Sequence, residues 1–249
     1  MTNLLQCENL VLGYNADKTD KNGIVAPFSF ELNAGEVVAL LGENGCGKST
    51  FLKTLCAQLQ PVAGDVTLCG RSLWNSAEKS TWTARERAKL VTLVRMSGIA
   101  CDRMTVREFV GLGRTPYAGL FDGRSKEDER IVDEALALLE LEAFANRWVN
   151  ELSDGERSRV YLAQAVAQQV KVLLLDEPNA FLDIPRSRKL FTLLQKLVKE
   201  RNMGILVSTH SVEYAEKYCD RIMVIENGSV RCERASDARV KGLLDWTEG

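Results

Sequence analysis

The chain has one histidine, no Cys-x-x-Cys spacing, no block of basic residues and no apolar stretch approaching the length of a bilayer span. Each absence removes a class of function. No part of the 249 residues reads as a membrane helix, and Met1 to Val11 lacks the basic flank and continuous apolar centre of a signal peptide. The expected location is therefore the cytoplasm. The seven cysteines (Cys7, Cys46, Cys56, Cys69, Cys101, Cys219 and Cys232) are odd in number and scattered, so neither a zinc site nor a disulfide framework is indicated. The formal charge is −2 and acids interrupt the bases, as in Arg85-Glu86-Arg87-Ala88-Lys89, which makes nucleic acid an unexpected partner. No internal repeat or low-complexity segment is present. The length suits one α/β domain, residues 1–249, with a large core.

What is present begins with Gly42-Glu43-Asn44-Gly45-Cys46-Gly47-Lys48-Ser49-Thr50, which fits G-x-x-x-x-G-K-[ST]. The apolar run Val37 to Leu41 precedes it and the helical pattern Phe51 to Leu55 follows. Glycines let successive amides point inward, and the helix turns its positive end to the same anion, so the loop suits a polyphosphate. Lys48 supplies a charge for the β and γ phosphates, and the Ser49 hydroxyl is placed to ligate Mg²⁺. Cys46, inside the loop near a helix N-terminus, sits where a thiolate is favoured and protected by bound nucleotide; an inert loop thiol facing away from solvent is the equal alternative.

Around this loop, Leu4 to Leu12 alternates in part like an edge strand, and Phe28 to Leu32 alternates strictly. Residues 15–23 read as a polar hairpin loop. Gly64 to Gly70 predicts a short strand, and Arg85 to Leu93 passes from a charged helix into another. From about 97 to 169 the spacing is helical, with amphipathic segments at Thr105 to Leu112, Lys126 to Leu141 and Glu156 to Gln169. This predicts a helical lobe inserted into an α/β core. Buried strands return at Val172 to Leu175 and Ile205 to Ser208, separated by a helix over Arg186 to Glu200, an alternation that implies parallel pairing. Asn227-Gly228 between Arg221 to Glu226 and Ser229 to Cys232 is a type I′ hairpin signal.

Asp176-Glu177 ends the run Val172 to Leu175 and places two carboxylates at a strand tip, where open α/β sheets bind ligands. Asp176 is suited to the Mg²⁺ shell through water, and Glu177 to polarising the water that attacks a γ-phosphate. Leu152-Ser153-Asp154-Gly155-Glu156 opens an amphipathic helix and offers a second anion-binding end, while by itself it equally fits a Ser N-cap followed by helix-starting acids. The lone His210 ends the strand Ile205 to Thr209, in position to contact a γ-phosphate.

With these residues in order, the sequence resembles the ATP-binding subunits of ABC transporters over nearly its whole length. In that resemblance Tyr14 is the aromatic that stacks on adenine, Gly42 to Thr50 the Walker A loop, and Leu152 to Glu156 the signature motif. Asp176 and Glu177 match the end of Walker B and its adjoining glutamate, Leu182-Asp183 the D-loop, and His210 the switch histidine. The resemblance implies an antiparallel β subdomain, a P-loop ATPase core and an inserted helical subdomain. It also implies a head-to-tail homodimer, in which each ATP lies between one Walker A loop and the partner's signature helix. A separate-chain permease and, indirectly, a substrate-binding protein complete the implied assembly at the inner face of the membrane.

Within the family, Met104 to Val110 and Gly113-Arg114-Thr115-Pro116-Tyr117 look like the importers of iron siderophores, haem and cobalamin. Three departures stand out. Met96 occupies the place of a glutamine that touches Mg²⁺, and a thioether is a poor ligand for that hard ion. Asp154 and Glu156 replace a glycine and a glutamine of the signature, adding negative charge. Low basal hydrolysis, stimulated by the permease, is the expectation. A soluble ABC protein serving as a scaffold or assembly factor, a slow regulatory ATP-binding module and an exporter subunit are the other readings.

Overall fold

Continuous apolar runs and strictly alternating ones have different destinations in this chain, and the division between them organises the fold. The computed structural model describes residues 2–14, 23–74, 82–95, 103–119, 124–180 and 182–245. A four-stranded antiparallel sheet holds β1 (Asn3–Val11), β2 (Phe28–Asn33), β4 (Ala63–Leu68) and β5 (Arg71–Ser72) in the order β2-β1-β4-β5. A six-stranded sheet holds β3 (Val37–Gly42), β6 (Val91–Arg95), β7 (Val172–Asp176), β8 (Gly204–Ser208), β9 (Arg221–Glu226) and β10 (Ser229–Arg234) in the order β10-β9-β3-β8-β7-β6. All neighbours in it run parallel except the β9–β10 hairpin, whose turn residues Asn227 and Gly228 both have positive φ, as a type I′ turn requires.

Strands covered on both faces need apolar residues at every position. Along β3, Val37, Ala39 and Leu41 face one core, and Val38 and Leu40 face the other. On β7, Leu173 and Leu175 join the first core and Val172 and Leu174 the second. The first core is completed by the helices α3 (Val106–Gly111), α4 (Lys126–Leu138), α5 (Asp154–Ala167), α6 (Ile184–Arg201) and α7 (Val212–Tyr218). The second is closed by the antiparallel sheet and by α1 (Lys48–Leu55), whose Phe51 ring meets Phe28 and Phe30 edge-on. A short charged helix, α2 (Ala84–Ala88), leads into β6 at the sheet edge.

The helices begin where side-chain caps satisfy their free amides. Thr105, Ser125 and Ser153 each form a reciprocal box with an acid three residues on, and Asp183 caps α6 ahead of Pro185. α4 stops at Leu138, short of the predicted Leu141, because Glu140 turns left-handed with φ 55°. β1 is not the edge strand its pattern suggested. It pairs with β2 on one side and β4 on the other, and its irregular alternation reflects bulges on both ladders. The polar loop expected at 15–23 falls almost wholly outside the described residues, as does Met96.

Candidate functional site

β3, β8 and β7 lie side by side and parallel, so their C-terminal ends open on one edge of the sheet. The phosphate loop grows from the tip of β3. Gly42 has φ 147°, and a Cβ there would come within 2.5 Å of the Ile225 carbonyl and 2.7 Å of Cys46 Sγ. Only glycine fits so close a backbone approach. Gly45 and Gly47 also take positive φ, and Gly47 opens α1. Glu43, Asn44 and Gly45 are exposed; Cys46 is half-buried against the antiparallel-sheet core. Lys48 is buried, and its ammonium donates to the carbonyls of Gly42 (2.7 Å) and Glu43 (2.9 Å). The cation is thereby held inside the loop that carries the free amides. Ser49 is exposed at the start of α1, while Thr50 is buried and its hydroxyl pairs with the Tyr14 hydroxyl at 2.7 Å. Tyr14 itself is 65% exposed, so a ring face is open to solvent beside the loop.

At the tip of β7, Asp176 and Glu177 are joined by a residue that sequence reasoning did not single out. Ser208, fully buried at the end of β8, donates its hydroxyl to Asp176 Oδ1 (2.9 Å) and accepts the backbone amide of Glu177 (2.9 Å). One hydroxyl thus fixes a carboxylate and the backbone beside it. The signal was available: a hydroxyl ending an otherwise apolar buried strand must find partners. Glu177 adopts φ 50°, uncommon for a residue with a side chain, and its carboxylate meets His210 Nε2 at 2.8 Å. Next to them, Thr209 donates to Asn179 Oδ1 at 3.1 Å, tying the turn after β7 to the turn after β8. The group offers a half-exposed carboxylate oriented by an imidazole, and a second carboxylate held by a buried hydroxyl. Such a pair of oxygen acids can accept a proton and help hold a hydrated cation.

Ser153 stands apart from this group. It is exposed at the N-terminus of α5, where its hydroxyl donates to Glu156 Oε2 (2.7 Å) and its amide to the same oxygen (2.9 Å). These bonds hold the Glu156 carboxyl below the usual glutamate range. Gly155 is buried, with the Arg186 side chain 3.3 Å from where a Cβ would stand. Asp154 pairs with Arg157 across one turn at 3.3 Å. Among the described residues, no hydrogen bond or ion pair links Ser153 to the strand-tip group. No cluster of three metal-ligating acids, cysteines or histidines occurs among them, and no helix is long and apolar enough to cross a membrane.

A strand, phosphate loop and helix beside paired carboxylates on a parallel sheet define the class of P-loop nucleoside triphosphatases. The chain matches the ABC transporter family over residues 25–180 and belongs to it; it is an ATPase of that family. Among curated relatives, the petrobactin import ATP-binding protein FpuC of Bacillus anthracis is 38% identical over 80% of this chain and 71% of its own. The iron(3+)-hydroxamate import ATP-binding protein FhuC of Bacillus subtilis is 33% identical over 92% of this chain and 81% of its own. The ferric enterobactin transport ATP-binding protein FepC of Escherichia coli is 32% identical over 93% and 81%. Among solved structures, a dimeric bacterial ABC transporter cassette superposes with a TM-score of 0.77 at 27% identity, covering 93% of this chain and 99% of that one.

Proposed function

We propose that this chain hydrolyses ATP as a head-to-tail homodimer docked on a separate-chain permease, and that it powers import of a metal chelate of the iron-siderophore, haem or cobalamin class. The permease would receive cargo from a substrate-binding protein, and the ATPase would lie on the inner face of the cell membrane. Relatives named for petrobactin import, iron(3+)-hydroxamate import and ferric enterobactin transport support the cargo class. The observation that carries the ATPase assignment to residues is the group at the tips of β3, β7 and β8: Lys48 within its loop, Asp176 and Glu177 joined through Ser208, and His210 on Glu177.

In this reading the amides of Gly42 to Thr50 and the Lys48 ammonium bind the β and γ phosphates, and Tyr14 lies against adenine. Glu177 takes the proton of the water that attacks the γ-phosphorus as the bond to the β-phosphate oxygen breaks. His210 orients the Glu177 carboxylate and meets the γ-phosphate. Ser49 and Asp176 present oxygen donors that suit Mg²⁺, an ion that keeps much of its shell as water and phosphate. Bound there, it would neutralise charge on the phosphates. Ser153, Gly155 and Glu156 complete the partner's site, because the Ser153 end shares no bond with its own strand-tip group. The cassette neighbour solved as a dimer supports that arrangement.

The test is light scattering with and without ATP, followed by affinity capture from detergent-solubilised membranes. A dimer formed only with ATP and lost in Ser153→Arg, together with recovery of a polytopic membrane protein, is expected. An active monomer unaffected by ATP would overturn the pairing, and capture of soluble proteins alone would favour the scaffold reading.

A further inference from the structure

Gly113-Arg114-Thr115-Pro116-Tyr117 marks a subclass in the sequence, yet it lies outside the nucleotide site. Its contacts give it work of its own. Gly113 brings the 3₁₀ turn Leu112–Arg114 so near α5 that a Cβ would stand 2.4 Å from the Gln164 carbonyl. Arg114 is buried, and its guanidinium forks: Nε donates to Asp128 of α4 (2.8 Å), and Nη1 to the Ala167 carbonyl (2.8 Å) and the Gln169 side chain (3.0 Å) at the end of α5. The Tyr117 ring lies 3.9 Å from the guanidinium, and its hydroxyl donates to the Gln168 carbonyl at 3.1 Å. From the core side, Arg85 of α2 donates to the Pro116 carbonyl at 2.8 Å, and the Gln168 side chain reaches back to the Ala88 carbonyl at 2.6 Å.

The motif therefore ties α4, the C-terminal turn of α5 and the α2 edge of the core into one knot. The last carbonyls of a helix lack internal partners and carry its negative end, so a fixed cation there is well placed. A buried ion pair adds little net stability over an apolar one of the same volume, whereas a planar fork fixes direction. Toward its N-terminus α5 is held on the α3 and α4 side, where Arg159 donates to the Leu139 and Glu140 carbonyls at 3.2 Å each and the Tyr161 ring lies 5.4 Å from that of Phe109, while its α6 side is open. A cleft of about 460 Å³, lined by Gly155, Arg159 and Leu162 on α5 and by Arg186, Leu190 and Leu193 on α6, separates the two helices. A 14-residue helix is a rod of about 21 Å, so a tilt of about 10° at its C-terminal end moves the Ser153 tip by about 4 Å.

We propose that Gly113 to Tyr117 is a clasp that sets the direction of α5, and that Arg114 is a positioning residue for the Ser153 end when two ATP-loaded copies pair. This rests on the head-to-tail reading above. It separates the clasp from the nucleotide loop: Arg114 acts on pairing and not on binding of ATP to one chain.

The experiment uses the full chain in a Glu177→Gln background, with ATP and Mg²⁺ as the pairing ligand. The dimer constant is read by sedimentation, and single-chain binding by fluorescence of trinitrophenyl-ATP. Arg114→Met should weaken ATP-driven pairing by about tenfold or more, since misplacement of this order is costly, while trinitrophenyl-ATP binds within about twofold of the parent. Arg114→Lys keeps the charge opposite Asp128 without the fork, so it should fold and still lose about threefold in pairing; it decides the matter if Arg114→Met does not fold. Undiminished pairing in Arg114→Lys, or pairing and nucleotide binding lost in equal measure, would overturn the clasp. Failure of the Glu177→Gln parent to dimerise with ATP would remove the head-to-tail reading and the clasp with it.

Discussion

The strand-tip group and the Ser153 end both look out on phosphate chemistry, but they are built in opposite ways. At the strand tips the bonds that tie the two acids in place span a long stretch of chain: Ser208 to Asp176, Glu177 to Ser208 and His210 to Glu177 each join residues more than thirty positions apart. β3, β7 and β8 beneath them are almost fully buried on both faces, so the sheet itself sets the geometry. At the Ser153 end the bonds run between Ser153, Asp154, Glu156 and Arg157, all within one turn of α5. That turn is right by itself in any copy of the helix, and its place in the molecule is inherited from what packs behind it. Changes in the first region should therefore damage chemistry, and changes in the second should damage assembly.

The largest effect should come from Glu177→Gln. The amide keeps the size of the side chain but loses the base, so turnover should fall by about 100- to 10,000-fold while trinitrophenyl-ATP binding holds. Single-turnover hydrolysis measured by phosphate release checks this, and a variant rate near the parent's would move the base elsewhere. Ser208→Ala should come next. It leaves the Glu177 amide without its acceptor and Asp176 without its donor in a partly buried site, costing about 1 kcal/mol in stability and about tenfold in turnover. Denaturant unfolding together with initial rates separates the two losses. An unchanged rate would mean that the left-handed Glu177 holds its place without the hydroxyl.

Glu156→Gln tests the assembly side of the contrast. The Glu156 carboxyl is held low by its bonds to Ser153, so the stabilisation from this contact is complete above the ordinary glutamate range and is lost only as pH falls through the depressed value. Near neutral pH it is always charged, and a shift of buffer cannot unmask it. Glutamine preserves the capping box and removes the charge that would face a partner's phosphate. About 1 kcal/mol of repulsion at 4 Å in water converts to roughly fivefold tighter ATP-driven pairing. Weaker pairing in Glu156→Gln would show that the carboxylate accepts from the partner instead of repelling it.

How much of this was legible in the sequence follows the same divide. The phosphate loop, the carboxylate pair and the Ser153 turn are contiguous, and each announces itself through residue types that the local backbone demands, such as Gly42 where a Cβ would strike a carbonyl. The two buried strand runs and the Asn227-Gly228 turn were equally plain, because burial on both faces and positive φ each leave a residue signature. What spans distance was not legible. A hydroxyl ending the apolar run of β8 announces that Ser208 needs partners, but which partners depends on β8 lying beside β7, and that order is set by packing. β1 read as an edge because its bulges break the alternation that two flanking strands would otherwise impose. The joint work of Arg114, Asp128 and Gln168 requires three helices to have met first.

The smallest effect should fall on Cys46, where local reading and packing disagree. Its place near a helix N-terminus favours a reactive thiolate at the phosphates. In the folded chain its sulfur lies against Gly42, 2.7 Å from where a Cβ there would stand, and the residue packs on the antiparallel-sheet core. The Cys46 amide donates to the Glu43 carbonyl at 3.4 Å within the loop, a bond that any residue but proline supplies. Cys46→Ala should accordingly change turnover by less than about twofold, with a small loss of stability for the vacated volume. Mass spectrometry after brief alkylation of the parent should find Cys46 modified to a similar extent with and without ATP. Strong protection by nucleotide would place the sulfur at the phosphates and reverse this assignment.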